Sequence, residues 1–302
     1  MTQISKNKLF KCGFVSIVGR PNVGKSTLVN SILRSNISIV TRKPQTTRNR
    51  ILGIYTMPEY QAIFIDTPGI HINEKKAINR VMNKTAINAI MDTNLNLFVC
   101  DSSYWSEEDE VVLNQLKNAR SPSILLLNKI DLIHPKDRLL ELISTLSNKH
   151  EFSEVIPIMA KNRDSLKSLL SIIPKYLPNS PQLYESEMIT DRSRIFITSE
   201  KIREKLILQL NQEIPYGLSV EIDKFSEDTK QIRIDAMIWV EKNGQKGIVV
   251  GKEGSTLKKI GTSARLDLKN YFKKNIHLNL WVKVKSNWAD SKKELISMGF
   301  EI

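Results

Sequence analysis

One run of eight residues narrows the fold of this chain more than anything else in it. "GRPNVGKS", Gly19 to Ser26, leaves the apolar run "FVSIV" and enters the amphipathic stretch "STLVNSILR". Its glycines let the main chain curl so that N–H groups face inward. The following helix adds the positive end of its dipole. The run fits the G-x-x-x-x-G-K-[ST] phosphate loop in the strand–turn–helix setting that motif needs. Lys25 is expected to reach the outer phosphates of a nucleotide, and Ser26 to bind Mg²⁺ through its hydroxyl.

The surrounding pattern agrees. "QAIFID", "NLFVCD", "SILLLN" and "VIPIM" read as further buried strands, with helical segments such as "KDRLLELISTLSNK" between them. Buried runs alternating with helices predict a doubly wound, mostly parallel α/β sheet. "IIPKYLPNSPQLYESE", with Pro174, Pro178 and Pro181, reads as a linker over about 174–190. The expected division is therefore a first domain over 1–180 and a second over 191–302. The second reads as helix, strand, strand, helix, strand, a small α+β domain. Its first helix is "SEKIREKLILQL" with Ser199 as N-cap, and "GIVV" reads as strand-like.

Two more motifs stand at strand ends. "DTPG", Asp66 to Gly69, can hold Mg²⁺ through Asp66 and sense a terminal phosphate with the Gly69 amide. "NKID", Asn128 to Asp131, reads the base. Guanine presents N1–H and a 2-amino group on one edge, and one carboxylate accepts both. Adenine lacks that pair, so Asp131 would be desolvated unpaired against it. Asn128 is expected to tie loops together, and Lys129 to lay its stem along the base. Three motifs in this order point to GTP or GDP. "KPQTTRNR", Lys43 to Arg50, lies where a mobile loop should cover the nucleotide, with Thr46 or Thr47 able to reach Mg²⁺ and Thr47 favoured. "GIHINEKKAINRVMNK" would be the second switch. The position that carries the water-orienting glutamine in Ras-type GTPases is Ile70, so intrinsic turnover should be slow. The oxygen of Asn22 either coordinates a rate-enhancing K⁺ or only shapes the loop.

In the second domain, "GKEG", Gly251 to Gly254, precedes a basic helix. KH modules clamp single-stranded RNA against a GXXG loop of this kind. Lys252, Lys258 and Lys259 are the candidate phosphate contacts, with Gly251, Glu253 and Gly254 shaping the turn. Leu257, Ile260, Ala264, Leu268 and Tyr271 mark the helix's core face. Trp239, Trp281 and Trp288 are candidates for base stacking or for packing. Charge agrees with two polyanion contacts. Net charge is +13; residues 1–50 carry ten Lys/Arg and no Asp/Glu, and residues 242–285 carry an excess of nine positive charges. Two cysteines without a CxxC pair argue against a disulfide scaffold, and no run is long and apolar enough for a membrane span. A cytoplasmic protein is expected.

Together, "GRPNVGKS", "KPQTTRNR", "DTPG", "NKID", "NGQKGIVVGKEGSTLKKIG" and "VKVKSNWAD" resemble the Era family of bacterial ribosome-assembly GTPases, over the chain from about Phe10 onward. The resemblance implies an Era-type GTPase domain followed by a type II KH domain. It implies cycling between GTP and GDP forms, binding to the 3′ end of small-subunit ribosomal RNA during 30S assembly and, as in some members, peripheral contact with the inner membrane; a monomer is expected. It implies nucleotide contacts at Gly19, Arg20, Pro21, Asn22, Val23, Gly24, Lys25, Ser26 and Thr27. Further contacts are implied at Asp66, Thr67, Pro68, Gly69 and Ile70, at Asn128, Lys129, Ile130 and Asp131, and at Ala160 and Lys161. Thr47, Asp66 and Gly69 would serve catalysis; Ser26, Thr47 and Asp66 would hold Mg²⁺. The family's last guanine motif is S-A-x, but here it reads "MAK", so a serine hydroxyl is missing at Met159. The competing readings are an RNA-modification GTPase acting on transfer RNA and a membrane-linked signalling GTPase.

Overall fold

A computed structural model describes residues 9–300, apart from positions 42, 44, 45, 71, 73–75, 136 and 211–216. Pro44 and Gln45 of the expected first switch loop, and His71 and 73–75 of the second, lie outside the described residues. The chain divides into two compact units. The first holds the chain up to Ser38, then Thr47–Ile72 and Met82–Asp191. The second holds Ile39–Thr46, Asn73–Val81 and everything from Arg192 onward.

The first unit is built on six strands: β1 (Lys11–Val18), β2 (Ile51–Met57), β3 (Tyr60–Asp66), β4 (Leu95–Asp101), β5 (Ser123–Asn128) and β6 (Glu154–Pro157). They lie in the order β2-β3-β1-β4-β5-β6. All neighbours are parallel except β2 on β3. β3, β4 and β5 are buried along their whole length, as strands covered on both faces must be. The helices are α1 (Lys25–Leu33), α2 (Ala77–Met91), α3 (Glu107–Lys117), α4 (Asp137–Ser147) and α5 (Lys167–Ile172), α2 beginning in residues that cluster with the second unit. From β1 the chain moves first toward β3 and then back past β1 to β4. That reversal puts a crevice at the carboxyl end of β1, where open α/β sheets bind ligands.

β2 is a strand the sequence reading did not single out. The proline-rich stretch read as a linker is fastened along the first unit. Gln61, fully buried on β3, accepts from the Leu183 and Tyr184 amides (3.1 and 3.0 Å) and donates to the Tyr184 carbonyl (2.8 Å). Farther along, the Ile54 amide donates to the Ile189 carbonyl (2.8 Å). The first compact unit runs on through this stretch to Asp191, and the second takes up the chain from Arg192.

The second unit carries α6 (Arg194–Gln209), β7 (Leu218–Glu227), β8 (Gln231–Val240), α7 (Asn243–Val250), α8 (Ser255–Phe272), β9 (Asn275–Val284) and α9 (Lys292–Ser297). The sheet order is β7-β8-β9, antiparallel then parallel. β8 buries Ile232, Ile234, Ala236, Ile238 and Val240 against Ile202 and Leu206 of α6 and Ile260, Ala264 and Leu268 of α8. Two readings are corrected. "GIVV" is helical, the end of α7, whose first turn is capped by Gln245 Oε1 accepting from the Glu241 and Lys242 amides (2.8 and 3.0 Å). A short β-branched run is ambiguous by periodicity alone, and the cap decides it. The α6 N-cap is Ser193, whose Oγ accepts from the Phe196 amide (3.2 Å); Ser199 sits inside the helix. No helix among the described residues is long and apolar enough to cross a membrane.

Candidate nucleotide site and nucleic-acid groove

The phosphate loop leaves β1 through Gly19 and enters α1 at Lys25. Gly24 adopts φ +105°, and a Cβ there would stand 2.2 Å from Asn128 Nδ2. Only glycine fits both the left-handed backbone and that approach. Lys25 is 6% exposed, and its ammonium donates to the Gly19 and Arg20 carbonyls (2.9 and 2.8 Å). Burial pushes its pKa down to about 8, against the pull of Asp66.

Arg20 is buried. Its Nε donates to Asp109 Oδ2 (3.0 Å), and its guanidinium lies 4.2 Å from the Tyr104 ring centre. Asp109 also caps α3, accepting from the Ser106 amide and hydroxyl (3.0 and 2.9 Å). One carboxylate thus fixes both a helix start and the loop carbonyl on which Lys25 rests. Sequence reading missed this role, although "SEED" carries the S-x-x-D spacing of a capping pair.

The cation ligands expected from the sequence come together. Ser26 Oγ and Thr47 Oγ1 are 2.9 Å apart. Thr46 turns its hydroxyl back to the Lys43 carbonyl (2.6 Å). Asp66 is fully buried, and neither carboxylate oxygen has a hydrogen-bond partner. Burial raises its pKa, with the Ser26 hydroxyl, the Lys25 charge and the Ser38 hydroxyl pulling the other way. A buried carboxylate is costly to keep charged unless cations face it; Lys25 already pulls on Asp66, and a second cation beside the Ser26 hydroxyl would add to that. Hard oxygen donors of this kind suit Mg²⁺. Thr67 Oγ1 anchors the "DTPG" turn to the Ile17 carbonyl (2.8 Å), and Gly69 abuts Pro21. Pro68 follows Thr67 in that turn. Ile70 is 2% exposed, packed with Val18 and Phe98, and cannot present a water.

At the other end of the crevice Asn128 joins three segments. Its Nδ2 donates to the Val23 carbonyl (2.7 Å) and its Oδ1 accepts from the Ala160 amide (2.9 Å). The Ala160 amide, one of the contacts the family resemblance implies, is engaged by Asn128 here. Lys129 adopts φ +65° and its ammonium donates to Asp101 Oδ2 (2.6 Å). That pair lowers the Asp101 pKa against the burial that raises it, and holds the lysine stem at the loop. Asp131 is exposed, in a 3-10 turn with Ile130, free to meet a base edge. Lys161 is exposed beyond Ala160, and Asn22 is exposed at φ +62°. Although Met159 offers no hydroxyl, its amide donates to Ser165 Oγ (3.0 Å), so the loop keeps a serine contact.

The second candidate site is open. Gly251 (φ +72°), Glu253 (φ +52°) and Gly254 (φ +76°) form a sharp turn between α7 and α8. A Cβ on Gly251 would lie 2.2 Å from Thr256 Oγ1. Lys252 stands exposed on the turn. Beside it runs a groove of about 620 Å³ between α8 and β9, lined by Gly254, Lys258 and Arg265 among others. Lys259 is exposed but does not line it. Trp288 is fully buried, which removes it from the stacking candidates.

Known proteins match both parts of the chain. A family model described as 50S ribosome-binding GTPase matches residues 14–129, and a KH domain model matches residues 213–289. GTPase Era of Histophilus somni (strain 129Pt) is 49% identical over 290 residues, covering 96% of this chain and 97% of that protein. The chain belongs to the Era GTPase family. Era of Coxiella burnetii is 48% identical over 96% of this chain and 98% of its own length. Among solved structures, Era in complex with MgGDPNP and nucleotides 1506–1542 of 16S ribosomal RNA superposes with a TM-score of 0.93 at 36% identity, over 97% of this chain and all of that one. Aquifex aeolicus Era bound to GDP and AlF4⁻ matches with the same score, identity and coverage.

Proposed function

We propose that this chain is a GTP-hydrolysing switch that binds the 3′ end of 16S ribosomal RNA and assists assembly of the 30S subunit. The observation that carries the nucleotide half is Asp66, fully buried with both oxygens unpartnered beside the Ser26–Thr47 hydroxyl pair. Bound Mg²⁺ would supply charge neutralisation between the outer phosphates. Around it, Lys25 neutralises phosphate oxygens, the loop N–H groups between Gly19 and Thr27, Pro21 excepted, cradle them, and Asp131 selects guanine. Thr47 orders the switch loop when the third phosphate is present, and the Gly69 amide reports on that phosphate. With Ile70 buried, water must be oriented by another group or by closure, so turnover is slow. K⁺ at Asn22 is the proposed accelerator.

The RNA half rests on the groove beside Gly251–Gly254 and on the Era complex, whose RNA comes from the small subunit. The family model that names the 50S subunit covers only residues 14–129. Peripheral membrane contact and a monomeric state belong to the same proposal, and vesicle sedimentation and sedimentation velocity test them. The main experiment is crosslinking to cellular RNA. Recovery of the 16S 3′ end is expected; transfer RNA, or no RNA, would overturn the reading. RNA affinity should also be higher with a non-hydrolysable GTP analogue than with GDP, and equal values would remove the coupling between the nucleotide and RNA sites.

A further inference from the structure

Ser38 stands between Ile37 and Ile39, and all three are buried. A hydroxyl in such a place normally bonds to protein, because a buried donor left unpaired is costly. Here it does not. Ser38 is 4% exposed, and its Oγ has no hydrogen-bond partner. Its backbone, by contrast, is fully engaged. Asn30 of α1 accepts from the Ile37 and Ser38 amides at Oδ1 (both 3.1 Å) and donates from Nδ2 to the Ser38 carbonyl (2.8 Å). Asn30 therefore fixes this stretch of chain whether or not residue 38 carries a hydroxyl, and folding alone does not call for one.

The group that this hydroxyl acts on is Asp66. Burial raises the Asp66 pKa, and the Ser26 hydroxyl, the Lys25 charge and the Ser38 hydroxyl lie close enough to pull it back. Both Asp66 oxygens are themselves buried and without a hydrogen bond. Ser26 and Asn30 are four residues apart on α1 and share one face of it. That face holds both ends of the stretch from 39 to 46, where the expected first switch begins. Asn30 holds Ser38, and Ser26 Oγ meets Thr47 Oγ1 (2.9 Å). Asp66 faces the Ser26 hydroxyl at one end and the Ser38 hydroxyl at the other. A carboxylate that serves a cation must be charged and must keep its oxygens in one orientation. A fixed hydroxyl beside it meets both needs, as the outer neighbours of metal ligands commonly do.

We propose that Ser38 is a positioning residue of the Mg²⁺ site, its hydroxyl donating to the Asp66 carboxylate when that carboxylate serves the cation, with Asn30 holding Ser38 in place for it. The proposal rests on the cation reading of Asp66 above, so its test separates the two. Release of a GDP carrying a fluorescent ribose label is followed from the full-length protein while Mg²⁺ is varied. Ser38→Ala should need about tenfold more Mg²⁺ than wild type for half-maximal retention of the nucleotide. With Mg²⁺ chelated, its release rate should equal that of wild type. Thermal melting without nucleotide should show the variant folded, since the hydroxyl has no hydrogen bond to lose. In an Asp66→Ala background the same change should have no further effect on the Mg²⁺ dependence, because Ser38 acts through that carboxylate. If Asp66→Ala moves the Mg²⁺ midpoint and Ser38→Ala does not, the cation site stands and the Ser38 role falls. A Ser38→Ala variant that releases GDP faster by the same factor with and without Mg²⁺ would make the serine a structural part of the loop and would also overturn it. If Asp66→Ala leaves the midpoint unchanged, the cation reading fails and takes this inference with it.

Discussion

Lys25 and Lys252 are the two lysines proposed to meet phosphate, and their surroundings differ in nearly every respect. Lys25 is 6% exposed, held by two carbonyls, with a pKa pushed down to about 8. Lys252 stands exposed on a turn beside an open groove. A buried cation acts through fixed geometry. Its neighbours, the Arg20–Asp109 pair above all, must be in place before the ligand arrives. An exposed cation acts by releasing counterions, and its geometry can adjust on contact. The first kind of site should be intolerant of small changes and insensitive to salt, the second tolerant and salt-dependent.

The comparison breaks most visibly at Asp66. Asp66→Ala should slow GTP hydrolysis by at least about a hundredfold in single-turnover assays, because the cation and the charge it neutralises are lost together. A variant near wild-type rate would mean the unpartnered carboxylate has another purpose. Next comes the buried pair. Asp109→Ala leaves the Arg20 guanidinium buried without the carboxylate it bonds and removes the Asp109 half of the α3 capping box. Denaturant unfolding should show a loss of about 3–5 kcal/mol. A loss below about 1 kcal/mol would show that Arg20 finds water or another partner.

Two predictions sharpen the contrast. Lys25 titrates near 8 without nucleotide, and phosphate oxygens must raise that value. Below pH 8 the ammonium is already formed. Above it, GDP binding must take up a proton, so affinity should fall by about tenfold per pH unit from 8 toward the ordinary lysine value. Calorimetry in buffers of different ionisation enthalpy at pH 8.5 should register the uptake, and a flat profile would contradict it. Lys252→Glu should weaken RNA binding about tenfold and reduce the salt slope by about one or two charges, leaving GDP affinity unchanged. The smallest effect is the monovalent one. Hydrolysis should be several-fold faster in KCl than in NaCl, and equal rates would end the proposal for Asn22.

Legibility followed the same divide. "GRPNVGKS", "DTPG" and "NKID" are contiguous because each is one loop at one strand end, so local spacing carries the chemistry. The supports of that site were hidden. Asp109 and Asp101 reach Arg20 and Lys129 through the fold, from positions that read as a helix start and a strand end. The strand β2 follows a basic loop that masks it, and "GIVV" fits strand as well as helix because four apolar residues match either period. In the second unit only "GKEG" was local. The groove's other wall forms when β9 pairs with β8, and alternation along "HLNLWVKVK" shows a strand without saying which face meets a ligand.

The central claim is that the exposed carboxylate of Asp131 chooses the base while the phosphate loop holds the tail. It is tested most directly by calorimetry of wild type and Asp131→Asn with GDP, ADP and xanthosine diphosphate. The account predicts that wild type prefers GDP over ADP by at least about a hundredfold. The asparagine variant should shift toward the xanthine nucleotide, whose 2-carbonyl accepts where guanine donates. Equal heats from GDP and ADP, or an asparagine variant that still prefers GDP, would contradict it.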